Sequence, residues 1–370
     1  MITVGLALFA AACAPPTVQP ESQSTATDDR ENGFEQLYSQ LAGLDGDART
    51  AKLIEIGNIE GHLSIYTSNT QMQQLVDEFE DIYQAQGLTA DVSIYRAPDN
   101  TLLQRILVEN DADYAGADLY IEGQAPQMAA LSEETDILAR FESPILDKRR
   151  DGLDYDLWSI TRFTAQSVAW NSDSITGDDV PTSYADLIDP KYKGKIMIEP
   201  RAFDWFMTLW QYFEEQGQSE SQIQHYFDAL ADNSRPVEGY PLQTQFLTTG
   251  EIPLAVGAYT QLAFKAAQTG APVAYEPFVE PIVLSPAGAG LIKRSSSPAL
   301  AVLFMEYILT KGQDLLSEMG RIPPKDLEDT GLLAGADYVV TEPTQVVGDE
   351  AEKWRARYDA LMEGRDVITE

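Results

Sequence analysis

Residues Gly61–Tyr83 read GHLSIYTSNTQMQQLVDEFEDIY, and this stretch decides the fold. Leu63 and Ile65, with β-branched and aromatic neighbours, form a short apolar run of buried-strand type. Four small polar residues follow, Thr67, Ser68, Asn69 and Thr70. Met72, Leu75, Val76, Phe79 and Ile82 then recur at helical spacing. A strand that breaks into a polar turn and then a helix aims free helical N–H groups at the strand's C-terminal edge. In open α/β sheets ligands sit at that edge.

The same rhythm repeats outward from this unit. Asp91–Tyr95 is a second strand, and Asp99 or Asn100 caps a helix carrying Leu102, Leu103, Ile106 and Leu107 on one face. Ala117–Ile121 is a third strand, with Glu122 just past its end. Successive strand–helix units imply right-handed crossovers and a sheet covered on both faces. Upstream, Phe34–Ile54 reads as one helix. Downstream, Ser167–Trp170 is a strand and Pro181–Leu187 a helix. The long helix Phe203–Gln216 carries an aromatic face of Phe203, Trp205, Phe206, Trp210 and Phe213. Pro272–Ile292 is extended and mostly apolar, as a strand returning between two lobes would be. A final acidic helix covers Glu350–Met362.

The chain has 370 residues, 44% of them hydrophobic, enough for a large core and long enough for two domains. A net charge of −34 argues against nucleic acid and acidic membrane surfaces as partners, because both repel a polyanion. The N-terminal MITVGLALFAAAC is too short for a spanning helix and suits a signal-peptide apolar region. Ala10–Cys13 resembles a bacterial lipoprotein cleavage box, which makes Cys13 the expected lipidation site, although no Lys or Arg precedes the apolar run. Residues 14–32, rich in Pro, Ser, Thr, Gln and acids, read as a flexible tether.

From residue 50 to about 325 the order of segments resembles one family. AKLIEIGNIEGHLSIYTS, GADLYIEGQAPQMAALSEE, VAWNSDSI, VPTSYADLIDPKYKGKIMI, TTGEIPLAV and SSSPALAVLFMEYILTKGQDLLSEMGRIP follow one another as in the extracellular solute-binding proteins of ABC importers, in the branch holding the ferric-iron-binding proteins. The resemblance implies an α/β, two-lobed periplasmic-binding-protein-like fold of type II. Each lobe would be a mixed sheet flanked by helices, with the ligand cleft between lobes. It places residues 1–13 in a signal segment and 14–50 in a tether and leading helix. Residues 51–160 with 275–315 would make the first lobe, and 161–274 with 316–370 the second lobe and C-terminal helix. The implied partners are a small-molecule or metal-ion ligand and the permease subunits. The protein is expected to be a monomer, outside the cytoplasm and lipid-anchored, with no cofactor.

In that branch the metal is held by a His after the first strand, a Glu after the third and two adjacent tyrosines. Glu122 and Tyr259 match two of these, and they are the metal ligands if the cargo is Fe(III), a hard cation suited to oxygen donors. Asn69 and Thr70 stand where the His would be, and Thr260 replaces the second Tyr. A small organic or oxyanion ligand is the other reading. The expected ligand-binding set is Tyr66, Ser68, Asn69, Glu122, Asp204, Trp205 and Tyr259, with the Trp205 indole offering a stacking wall. Core packing is the plain alternative for Trp205 and Tyr259, and a solvated strand-end carboxylate for Glu122. Arg162, near the first crossover, could neutralise an anion, with a surface or hinge ion pair as the plainer expectation. His62 and His225 read as structural or surface residues. Two histidines and one cysteine exclude zinc-type clusters.

No Walker loop, dinucleotide fingerprint or G-x-S-x-G elbow occurs. A carboxylate-based hydrolase on the same fold is the alternative function, with Glu276 and Glu280 as a chance acid pair by default. Charge repulsion of this size is relieved by screening, so thermal stability should rise from low salt to molar NaCl. Scanning calorimetry checks this, and a flat dependence would count against a saline habitat.

Overall fold

The computed structural model describes residues 33–122, 125–134, 136–326, 332–365 and 367–369. Cys13 and the expected tether lie outside them. Eleven strands form one continuous sheet: β1 His62–Thr67, β2 Asp91–Arg96, β3 Leu119–Ile121, β4 Leu138–Ala139, β5 Ser159–Asn171, β6 Ile196–Ile198, β7 Ser234–Pro236, β8 Leu254–Tyr259, β9 Val273–Ala274, β10 Ile282–Ile292 and β11 Tyr338–Val340. The main path runs β2-β1-β3-β10-β5-β8-β6-β7. The α-helices are α1 Gly33–Leu41, α2 Gly46–Glu60, α3 Met72–Gln84, α4 Asp99–Asp111, α5 Ala125–Glu133, α6 Phe203–Glu215, α7 Glu220–Asn233, α8 Tyr240–Thr249, α9 Thr260–Gln268, α10 Pro298–Ile308, α11 Gly312–Glu318 and α12 Gly348–Met362.

The βα units form as their apolar spacing dictates. In α3 the buried residues are Met72, Leu75, Val76, Phe79 and Tyr83, and they pack with Leu63 and Ile65 of β1 in one cluster. β1 lies parallel to both β2 and β3, so each connection crosses over through a helix. The expected single helix over 34–54 is instead two, α1 and α2.

Two long strands join the two ends of the sheet. β5 pairs antiparallel with β10 over residues 159–166 and with β8 over 166–170. β10 in turn pairs with β11 at its start and with β3 and β4 at its end. Four clusters cover the sheet. One, built on α2, α3 and α10, and another around Tyr120, Trp158 and Phe163 cover the faces of the first half. An aromatic cluster on α6 and α7 and a smaller one around Leu247 and Ala255 cover the second. Both β5 and β10 are buried along their whole length; β10 reads as near-continuous apolar or small residues, whereas β5 also carries Arg162, Gln166 and Asn171.

One boundary differs from the sequence expectation. Leu316 of α11 belongs to the first half's core, and Ile322 bridges Phe163 and joins the cluster on that half's other face. Residues 316–322 therefore pack on the first half, and the chain reaches the second through β11 and α12, which packs on α6.

Close approach fixes two glycines. A Cβ on Gly57 of α2 would lie 2.6 Å from Leu300 Cδ2 of α10, the contact that seats those helices together. On Gly288 it would lie 2.4 Å from Trp158 Cε3 and 3.0 Å from the Ser159 carbonyl, where β10 crosses β5. Gly288→Ala should therefore destabilise the protein by roughly 1–3 kcal/mol, the usual cost of overpacking. Denaturant unfolding followed by circular dichroism reads this, and an unchanged midpoint would show that Trp158 yields freely.

Candidate functional site

β1 and β3 end side by side, with Thr67 opposite Ile121. The turn after β1 is held by its own side chains. The Asn69 N–H donates to Thr67 Oγ1 at 3.1 Å, and the Gln71 N–H donates to Asn69 Oδ1 at 3.0 Å. This is the local polar turn that starts α3. Asn69 is buried, and its Nδ2 has no hydrogen-bond acceptor within the protein. Ser68 is half-buried beside it.

Glu122, after β3, is fully buried. Its Oε1 accepts the Gly288 N–H at 2.7 Å, and its own N–H donates to the Gly288 carbonyl at 3.0 Å. Its carbonyl accepts Arg162 Nη2 at 3.2 Å. Glu122 thus clamps the end of β3 to β10, a structural duty that the strand-end reading did not anticipate.

Arg162 enters from the middle of β5 and is only 3% exposed. Its Nε and Nη1 are buried without hydrogen-bond partners. Burial lowers its pKa, opposed by the charges of Glu122 and Asp99. Arg321 approaches from the segment that bridges β5, where the Phe163 N–H donates to the Ile322 carbonyl at 2.7 Å. Arg321 Nε donates to Gln71 Oε1 at 3.1 Å. Burial, together with the like charge of Arg162, pushes its guanidinium down to about 10.

The second half supplies Tyr259, at the end of β8 opposite Gln166 of β5. Its ring stacks on Tyr240, at the start of α8, with centroids 3.5 Å apart and planes 16° from parallel. Tyr259 lies within electrostatic reach of both arginines. Gln166 Nε2 donates to Tyr240 Oη at 3.1 Å. Ser285 Oγ on β10 lies 3.2 Å from Gln166 Oε1 and 3.0 Å from Asp204 Oδ2. Its single proton is best given to the carboxylate, the stronger acceptor. Asp204, in the first turn of α6, is buried, and burial holds its pKa above the ordinary carboxylate value. A pocket of about 340 Å³ opens between the halves next to Gln71, lined also by Gln74 of α3, Phe264 and Lys265 of α9, and Glu318 of α11.

The expected site residues therefore divide. Ser68, Asn69 and Glu122 gather at one strand edge, while Asp204 and Tyr259 face it from the other half. Tyr66 and Trp205 do not join them. The Tyr66 side chain sits in the first half's core, where its Oη donates to Glu109 Oε1 at 2.9 Å and Arg105 lies over its ring. Alternation along β1 sends Tyr66 to the face opposite Ile65. Trp205 is fully buried in the aromatic cluster, edge-on to Phe227 and against Gly257. It is core rather than a cleft wall. Arg162 is buried and donates to the Glu122 carbonyl, with Nε and Nη1 unpartnered, rather than forming the surface or hinge ion pair expected. Arg321, Tyr240, Gln166 and Ser285 were not singled out in the sequence. A polar residue inside the mostly apolar strand β10 was the available signal for Ser285, while in β5 Gln166 is one of several polar residues. His62 is exposed, with Nδ1 2.6 Å from Asp91 Oδ2, in keeping with a surface role.

A family profile described as bacterial extracellular solute-binding protein matches residues 134–337, more than half of the chain. The chain belongs to that family. Solute-binding proteins of this kind act outside the cytoplasm as transport receptors, not as enzymes, and carry no cofactor of their own. Among the described residues no helix is long and apolar enough to cross a membrane.

Solved structures share the fold at low identity. The substrate-binding protein of an ABC transporter from Agrobacterium tumefaciens is 15% identical with TM-score 0.65, over 82% of this chain and 96% of its own. AfuA from Actinobacillus pleuropneumoniae, solved with fructose-6-phosphate, is 19% identical with TM-score 0.65, over 82% and 99%. Iron-bound HitA from Pseudomonas aeruginosa is 18% identical with TM-score 0.64, over 81% and 99%. These are two-lobed periplasmic binding proteins, and this solute-binding protein has their mixed α/β architecture. No curated protein matches the chain in sequence.

A carboxylate whose pKa is raised on folding is destabilised in its charged form. Its contribution to stability falls as pH rises through the folded value. Asp204→Asn should therefore melt higher than the parent at pH 7, and the advantage should shrink as pH falls towards the ordinary value of 3.8. Melting curves across pH 4–8 (about the carboxylate-to-neutral range) test the sign. A lower melting temperature at pH 7 would mean that the Ser285 bond outweighs burial.

Proposed function

We propose that this solute-binding protein holds one small solute where β5 and β10 cross between the halves, and hands it to an ABC permease. The observation that carries this reading is Arg162, a buried guanidinium with two nitrogens lacking any protein acceptor. Burying hydrogen-bond donors without partners costs free energy that folding alone does not recover. A bound acceptor returns it. Asn69 Nδ2 poses the same demand at the adjoining strand edge.

The contact set in this proposal is Ser68 and Asn69 from the turn after β1, Arg162 from β5, Arg321 from the bridging segment, and Tyr259 from the second half. Asp204 supports it through Ser285. Glu122 positions Arg162 and β10. Because the contacts come from both halves, the solute gains more of them in the closed form. It shifts the population towards that form, which a permease can recognise. Cys13 is the proposed lipid attachment, residues 14–32 the tether, and the receptor works as a monomer.

Ferric iron as cargo fits this arrangement less well. Among the described residues no group of three or more His, Cys, Asp or Glu side chains is placed to hold a metal. Tyr259, the expected metal-binding phenol, faces two guanidinium groups whose field repels a bare cation.

Native mass spectrometry of protein purified under mild conditions should show a one-to-one adduct that denaturation releases. Tyr259→Ala should retain the native circular dichroism while losing most of the adduct. Equal occupancy in the variant would remove Tyr259 from the site, and turnover of the released solute would revive an enzymatic reading.

A further inference from the structure

The bridge between Phe163 and Ile322 brings the backbones of Arg162 and Arg321 together, and the Arg162 charge bears on Arg321, inside a protein that carries 59 acidic residues against 25 Lys and Arg. In such a protein an arginine has abundant carboxylates to pair with on the surface. These two instead stand next to the Phe163–Ile322 bridge, Arg162 buried on β5 and Arg321 tied to Gln71, a residue that lines the pocket between the halves. Two carboxylates, Glu122 and Asp99, lie within electrostatic reach of Arg162, but neither takes the protons on its Nε or Nη1. One Glu122 oxygen is already engaged by Gly288. For Arg321 the side-chain partner among the described residues is the neutral amide of Gln71.

We infer that the cargo is an acid-bearing solute, whose phosphate or carboxylate group sits on Arg162 and Arg321 with the Asn69 amide as a further donor. The inference rests on the receptor reading above and names its substrate class. Three features support it beyond charge. Guanidinium N–H groups are arranged as a planar fork that matches two oxygens of an oxyanion, which lysine cannot reproduce. Arg162 is held by β5 and by the Glu122 carbonyl on Nη2, so its unpartnered Nε and Nη1 are fixed before the solute arrives and little side-chain entropy is lost on binding. Tyr259, within electrostatic reach of the two cations, brings a phenol to the same place from the opposite half. The acid group would then tie both halves together. An anion between the arginines would add to the partial compensation that Glu122 and Asp99 give Arg162, so solute charge and closure are coupled.

The test is isothermal titration of the full chain with five probes: inorganic phosphate, citrate, ferric chloride, spermidine and glucose. Phosphate or citrate should bind one-to-one, and which of the two binds assigns the group as phosphoryl or carboxylate. Arg321→Gln should weaken that binding at least tenfold, and Arg321→Lys should recover only part of it. Both variants keep the neighbouring backbone, and their melting curves check folding independently of Arg162→Gln, which removes a buried group. Binding of spermidine, ferric chloride or glucose without either oxyanion would overturn the inference and leave the receptor reading standing. Oxyanion binding unaffected by Arg321→Gln and Arg162→Gln would overturn it too. If none of the five binds, the inference falls, and the receptor reading is then judged by the released adduct alone.

Discussion

The structure depends on two strands that cross. β5 and β10 run antiparallel through the centre of the sheet, with β3, β1 and β2 beyond β10 and β8, β6 and β7 beyond β5. Their crossing is tight. Gly288 fits against Trp158 with no room for a Cβ, and Glu122 pins the same residue with its side chain and its backbone N–H. Burial on both faces excludes water from the strands, so each polar side chain they carry must be paired by the protein or by something bound. Gln166 and Ser285 find partners on Tyr240 and Asp204. Arg162 does not find enough.

From that constraint the site follows. A cation placed by a central strand is costly to bury and hard to move, because the strand is fixed by pairing on both sides. The segment carrying Arg321 then adds a second cation, tied to β5 through the Phe163–Ile322 bridge. The polar turn after β1 brings a free amide, and β8 brings Tyr259 stacked on Tyr240. Each element arrives for a separate structural reason. In the proposed site, these elements together would hold the solute.

The surface charge opposes the approach of such a solute. A strongly acidic exterior repels free anions at long range, so an acid-bearing solute gains nothing from steering and must be held by local contacts. Salt screens the exterior but reaches the buried arginines far less. A saline setting would thus lower the barrier to approach while leaving the binding contacts intact.

Much of the fold was legible in the sequence. The apolar spacing of Leu63, Ile65, Leu75, Val76 and Phe79 specified the first βα unit, because burial periodicity is a local property of the chain. The order of segments specified the family and with it two lobes and a solute cleft. What sequence could not settle was which side of a buried strand or helix a polar or aromatic residue would face. Tyr66 and Tyr259 both stand near strand ends, yet one packs inward on Glu109 and the other faces two arginines. Trp205 and Asp204 are neighbours, yet only the carboxylate reaches Ser285. Arg321 is 159 positions from Arg162 (321 − 162), and no pattern in the chain links them. Periodicity reports burial, which is shared by core and cleft alike. Only the tertiary packing decides which buried groups are met by the protein itself and which are left for a solute.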